Sequence, residues 1–203
     1  MKAVGYTASK PIDQDDSLFD FELEAPSPKG RDLLVRVQAI SVNPVDYKVR
    51  MRRASEDGQP IVLGWAAVGE VVAIGAEASM FEPGDAVWYA GAIDRQGTNA
   101  ELHLVDEWIV GRKPQSASAA EAAALPLTTL TAYEMLFDRL RVTDPVPGAA
   151  PAALIIGGSG GVGSITIQLL RALTDLTVIA TASRPETQAW VNELGAHHAI
   201  DHS

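Results

Sequence analysis

Apolar and polar residues alternate in short bursts over the first half of the chain, and then the rhythm changes. Residues 2–7 (KAVGYT), 18–24 (LFDFELE), 33–42 (LLVRVQAISV), 67–75 (AVGEVVAIG), 85–89 (DAVWY), 99–105 (NAELHLV) and 108–112 are Val/Ile-rich or strictly alternating. They predict strands. Turn formers separate them, among them APSPKG, EPGD and RQGT. Many short strands of this kind predict an antiparallel, barrel-like or sandwich module. After Lys113-Pro114, SASAAEAAAL offers serines suited to a helix cap and then strong helix formers. LTTLTAYEMLFDRLRV (127–142) is apolar at helical spacing through Leu127, Leu130, Met135, Phe137 and Leu140. A loop, DPVPGAAP (144–151), leads into strand 153–156, helix 161–173, strand 177–182, helix 185–195 and strand 197–201. Strand–helix alternation predicts a parallel sheet. The expected fold is therefore α/β plus β, with a β domain over 1–124 and an α/β domain over 125–203.

Composition narrows the partners. A formal charge of −10 argues against nucleic acid and anionic membrane, whose phosphates need a basic face. No apolar run reaches the ~18 residues that span a bilayer, and MKAVGYTASK is not a secretory signal. Cysteine is absent, which removes disulfides, thiolate nucleophiles and Cys-ligated zinc. That suits a reducing compartment, and a cytoplasmic location is the expectation.

The sharpest motif is Gly158-Ser159-Gly160-Gly161-Val162-Gly163, a G-x-G-x-x-G at a strand-to-helix junction. In that context the first glycine serves the tight turn, the second lets a pyrophosphate approach, and the third lets helix and strand pack closely. Helix N-terminal amides then face the phosphates. An NAD site usually carries Asp or Glu about 20 residues on. Here the end of the second strand is Ser183-Arg184, a hydroxyl and a guanidinium suited to a 2′-phosphate. The expected cofactor is NADP(H). Glu186 lies past Pro185, where it favours the next helix's dipole.

These segments, with AISVNPVDYKVR (39–50), PIVLGWAAVGEVVAIG (60–75), FEPGDAVW (81–88), GTNAELHLVD (97–106) and LPLTTLTAYE (125–134), occur in an order that resembles the medium-chain dehydrogenase/reductase superfamily. Within it the chain is similar to the zinc-free quinone oxidoreductase branch. The resemblance implies a GroES-like β-barrel domain followed by a Rossmann doubly wound parallel sheet, with the active site between them. Zinc-dependent members place Cys where this chain has Asn43, and His-Glu where it has Trp65-Ala66. Asn, Trp and Ala cannot build a tetrahedral zinc site. Zinc-free relatives often carry Asp at the Ala66 position, and its absence is a departure.

By resemblance, Asn43, Tyr47 and Thr131 are the candidate catalytic residues. Asn43 would donate its amide N–H to a substrate oxygen; equally, it caps the short helix after Pro44. Tyr47 lines a substrate pocket or gives a proton, or simply packs. Thr131 faces the nicotinamide, or bonds its own backbone. Trp65 walls the site or fills core, and Asp46 pairs with a nearby cation. His103 points at solvent or a neighbour. His197, His198 and His202 look like a metal cluster, but adjacent strand residues face opposite sides.

The implied activity is NADPH-dependent, zinc-independent hydride transfer to a quinone or α,β-unsaturated carbonyl. The alternative is a non-catalytic NADP(H)-binding or sensor protein on the same scaffold. Homodimer formation is left open. A full Rossmann sheet has about six strands, and residues after 150 supply about half of that. An incomplete Rossmann domain with one open, adhesive strand edge is therefore expected, whether as a fragment, a truncated product or a chain completed by a partner.

Overall fold

The computed structural model describes residues 1–201. Two compact units emerge, Met1–Leu127 and Thr128–Ser203.

In the first unit β1 (Lys2–Tyr6) pairs antiparallel with β2 (Phe19–Glu22) on one side and β4 (Ile61–Val62) on the other. A second antiparallel sheet has the order β7-β3-β5-β6-β8, built from β3 (Asp32–Ser41), β5 (Ala66–Ile74), β6 (Ala86–Ala90), β7 (Leu102–Asp106) and β8 (Val110–Arg112). The β3–β5 ladder is its spine. It runs from Leu33↔Ile74 to Ser41↔Ala66, with register shifts at Leu34/Val35 and Val37/Ala39 that bend the strands. The sheet curls: β6 and β7 are separated by two strands, yet Tyr89 Oη lies 3.0 Å from His103 Nδ1. Alternating residues of these strands (Leu33, Val35, Val71, Val87, Tyr89 and Val105) fill the interior.

Two expectations need correction here, and one strand was not expected. Residues 99–101 are not ladder. Val4 N–H donates to Asn99 O and Val37 N–H to Glu101 O, so this stretch bonds to both sheets and β7 begins only at Leu102. Residues 107–109 form a 3₁₀ turn, because Asp106 Oδ1 accepts the Trp108 N–H at 2.9 Å; only Val110–Arg112 is strand. The two-residue β4 is too short to carry an alternation signal.

Helix α1 (Pro44–Arg52) follows β3. Helix α2 (Ala119–Ala123) is capped as its sequence suggests. Ser118 Oγ accepts the Glu121 N–H, and Glu121 Oε2 accepts the Ser118 N–H at 2.9 Å. Ala122 and Ala123 are buried against Val68 of β5.

The second unit centres on a parallel sheet of order β11-β10-β9, with β9 (Ala152–Ile155), β10 (Thr177–Thr181) and β11 (His198–Ile200). Helix α4 (Gly161–Leu173) links β9 to β10, and α5 (Pro185–Glu193) links β10 to β11. Ile167 and Leu170 are fully buried with Val178, Ala180 and Val191. Each of the two contributes about 2 kcal/mol by area removed from water. The segment before β9 is helix α3 (Pro126–Tyr133) continuing into a π-helical stretch, Glu134–Arg139. The wider turn, with the Leu140 N–H on Met135 O, shifts the phase of the helix. Ala132 and Leu136 are buried, whereas Leu130, Met135 and Leu140, expected to form the apolar face, are exposed.

Candidate functional site

The glycine turn is built from both ends. Gly157, not Gly158, supplies the left-handed turn, at φ +70°. Gly158 serves packing instead: a Cβ there would lie 2.8 Å from the Ala180 Cβ. The tight-turn role expected of Gly158 therefore falls one residue earlier, because the run GGSGG offers two adjacent glycines and only the first is at the bend. The end of β10 braces the turn. Thr181 Oγ1 accepts the Gly157 N–H at 2.8 Å, and Thr181 O accepts the Gly158 N–H at 3.0 Å. Gly163 does what the third glycine of the motif should. A Cβ there would overlap Gly157 O and sit 2.8 Å from Gly158 Cα.

Ser159 is half-buried, and Gly160 is the N-cap residue of α4. The first-turn amides of Gly161, Val162 and Gly163 have no acceptor within their own helix. No capping side chain stands in front of them, since the cap is a glycine. Thirteen residues of helix add their dipole to this end. The arrangement is a cradle for an anion, and it fits a dinucleotide's diphosphate. An apolar groove of about 1130 Å³ runs from Gly157 and Gly163 past Leu154 and Ile156. Thr128 Cγ2 would lie 3.3 Å from a Cβ on Gly161, so α3 passes close to the start of α4. Thr131, three residues on, shares that face of α3 and is exposed.

Ser183 and Arg184 are exposed beyond the end of β10. Arg184 is the N-cap residue of α5, and its Nε lies 2.9 Å from Glu186 Oε1. Glu186, expected to serve only the helix dipole, is also an ion-pair partner of the candidate phosphate-binding arginine.

In the first unit Asn43 and Tyr47 sit at the start of α1. Asn43 is the N-cap residue and is buried. Its Nδ2 donates to Ser41 Oγ at 3.1 Å and to Ser41 O at 3.3 Å. Its backbone N–H donates to Asp46 Oδ2 at 2.8 Å. The expectation that Asp46 pairs with a cation is thus corrected: it is a buried cap acceptor for a backbone N–H. Burial pushes its pKa up, opposed by the N–H groups of Asn43, Asp46 and Gly64. Tyr47 is 52% exposed. Trp65 is core, packed with Tyr6 and Leu63. Asn43 and Tyr47 share one helix start, while Thr131 belongs to the other unit.

Two further polar groups are buried: His103 takes the neighbour-facing alternative of its expectation, and Glu107 had no expectation attached. His103 is buried rather than solvent-facing. Its Nε2 lies 2.9 Å from Gln96 O, so that nitrogen carries the proton and Nδ1 accepts from the Tyr89 hydroxyl. Desolvation lowers its pKa to about 4. Glu107 has no exposed surface and accepts from the backbone N–H groups of Ser79 and Met80 and from Arg31 Nη1. Above all the Met80 N–H holds its carboxyl below the usual range. Both are structural: their partners come from strands and turns distant in sequence.

A zinc ion does not fit. Asn43, Trp65 and Ala66 supply no thiolate, imidazole or carboxylate, and among the described residues no group of three His, Cys, Asp or Glu side chains is gathered for a metal. His197 is spent on the Val178 N–H, which its Nδ1 accepts at 2.8 Å, and faces Arg171. His202 lies outside the described residues. No helix among them is long and apolar enough to cross a membrane.

Residues 29–133 match the alcohol dehydrogenase GroES-like domain. The chain is 44% identical over 203 residues to the zinc-type alcohol dehydrogenase-like protein SACOL2177 of Staphylococcus aureus (strain COL), covering all of this chain and 60% of that one. It is 33% identical to a 2-methylene-furan-3-one reductase of Solanum lycopersicum, covering 52% of it. A crystal structure described as that of "a putative zinc-dependent alcohol dehydrogenase protein from Rhizobium etli CFN 42" superposes with a TM-score of 0.97 at 63% identity, over all of this chain and 59% of that one. The chain thus spans about 60% or less of the length of these relatives. It belongs to the alcohol dehydrogenase GroES-like domain family, within the medium-chain dehydrogenase/reductase superfamily.

Proposed function

We propose that this chain carries the β domain and the adenosine–diphosphate half of an NADPH-dependent, zinc-independent reductase of quinones or α,β-unsaturated carbonyls. The observation that carries this reading is the open glycine cradle, with its unspent first-turn amides at Gly161, Val162 and Gly163. When bound, NADPH supplies a hydride equivalent from its nicotinamide ring. The α4 amides hold the diphosphate, and Ser183 and Arg184 hold the 2′-phosphate. Asn43, once its amide leaves Ser41, donates to the substrate oxygen where negative charge gathers. Tyr47, exposed on the same helix, or a water molecule gives the proton. The name of the tomato relative, a reductase of a conjugated enone, supports the substrate class.

A non-catalytic NADP(H)-binding role is the second reading. Two features favour it: Ala66 offers no polar group, and the Asn43 amide is engaged by Ser41. The separating experiment mixes the whole reductase to which this chain contributes with NADPH and a 2-alkenal or a benzoquinone and follows the reduced-nicotinamide absorbance. Substrate-dependent loss of that absorbance is the expected result. Saturable NADPH binding with no consumption would favour the second reading, and no binding at all would contradict both.

A further inference from the structure

The end of β10 carries both signs of charge, and they are paired with each other. We infer that Glu186 is a specificity-determining residue whose carboxylate competes with a 2′-phosphate for Arg184, so that the site distinguishes phosphorylated from unphosphorylated adenosine only weakly. The inference rests on reading the glycine turn as the dinucleotide site.

The backbone here is firmly tied. The Ala182 N–H donates to Ile200 O at 3.0 Å, and Gln188 Nε2 donates to Ala182 O at 3.1 Å. Thr187 Oγ1 accepts the Arg184 N–H at 3.2 Å and donates to Arg184 O at 2.8 Å. Only Pro185, with its fixed φ, separates the two charged residues. The two side chains are 71% and 68% exposed, so they reach solvent and any ligand there, but their roots cannot move apart. Glu186 sits in the first turn of a nine-residue helix, where the dipole holds an anion.

A phosphate arriving at Arg184 meets two obstacles. It must displace a carboxylate from the guanidinium, and it must then sit beside that carboxylate. An exposed ion pair of this kind is worth up to about a fivefold factor in an equilibrium, and like-charge repulsion adds to it within a Debye length. An unphosphorylated ribose meets neither obstacle. Its 2′-hydroxyl is a donor, which a carboxylate accepts. The chain therefore holds a guanidinium suited to one ligand and a carboxylate suited to the other.

The test titrates the chain with 2′,5′-ADP and with 5′-AMP, following the amide resonances of Gly161–Gly163 by NMR. These probes need only the adenosine half of the site. The expected wild-type preference for 2′,5′-ADP is below about tenfold. Glu186→Gln should raise 2′,5′-ADP affinity by about five- to tenfold and leave 5′-AMP unchanged or weaker. Arg184→Gln should abolish the preference. If both probes bind and Glu186→Gln leaves their ratio unchanged, the competition is overturned and the dinucleotide reading survives. If neither probe moves those amides in the wild type, the dinucleotide reading fails, and the inference with it.

Discussion

Two helices begin where a strand ends, and they use their first turn in opposite ways. At α1 the polar groups are spent inside the protein. Pro44 removes one donor, Asp46 accepts the Asn43 N–H, and the Asn43 amide donates twice to Ser41. At α4 nothing is spent. The cap residue is Gly160, with no side chain to place over the amides, and Gly163 lets the helix start close against the turn. On the proposed reading, the open end takes a diphosphate with no exchange of bonds inside the protein. The closed end becomes a donor to substrate only if a bond within the protein is exchanged for one outside it. On the proposed reading, cofactor binding and proton donation thus have different structural preconditions.

The largest expected effect in the β unit, which holds the closed helix start, concerns His103 of β7. Its folded pKa, about 4, lies below its ordinary value of 6.5. Below pH 6.5 the unfolded chain takes up a proton that the folded chain refuses, so the contribution is complete above pH 6.5 and lost as pH falls toward 4. The loss should be on the order of 3 kcal/mol. Urea unfolding between pH 7 and 4.5 should show the slope, and His103→Asn should flatten it. An unchanged slope would mean that the ring is not buried as a neutral acceptor.

Next in size, Gly163→Ala should cost about 2 kcal/mol through backbone overlap at Gly157 and Gly158. It should also weaken NADPH binding. If the variant bound and unfolded like wild type, the close approach of helix to turn would be wrong. Asp46→Ala should cost about 1 kcal/mol by stripping the α1 cap, and Asp46→Asn less, since its carbonyl still accepts; thermal denaturation of the three proteins checks the order. Smallest is Ser41→Ala, which should cost about 0.5 kcal/mol. If the chain turns over an enone, this variant should be faster than wild type, because one of the two bonds that hold the Asn43 amide is removed while that to the backbone carbonyl of residue 41 remains. A slower Ser41→Ala enzyme would mean that Ser41 orients Asn43 productively.

The second unit was the more legible of the two. Its parallel order follows from strand–helix alternation, and helix α4 falls at 161–173 as its apolar spacing predicts, because these signals are local. The antiparallel unit was legible as a class and less so in detail. Residues 99–101 serve two sheets, and the Tyr89–His103 bond joins strands that are not neighbours. Such contacts depend on how the sheet curls, which no window of sequence contains. The glycine motif named the turn but not which glycine bends, because φ is a property of the folded backbone. The Arg184–Glu186 pair was visible as two residues but not as an ion pair, because the folded start of α5 sets where the two side chains meet. The π-helical stretch displaced the face expected of Leu130 and Leu140, since a widened turn breaks the period on which the expectation rests.

The most direct test of the open cradle is a calorimetric titration of the chain with NADPH, repeated with Gly163→Ala, while circular dichroism confirms that both proteins are folded. Saturable binding to the wild type at one site, weakened by the substitution, is the expected outcome. A folded wild-type chain that takes up no NADPH at millimolar concentration would contradict the claim that the α4 amides form a working dinucleotide site.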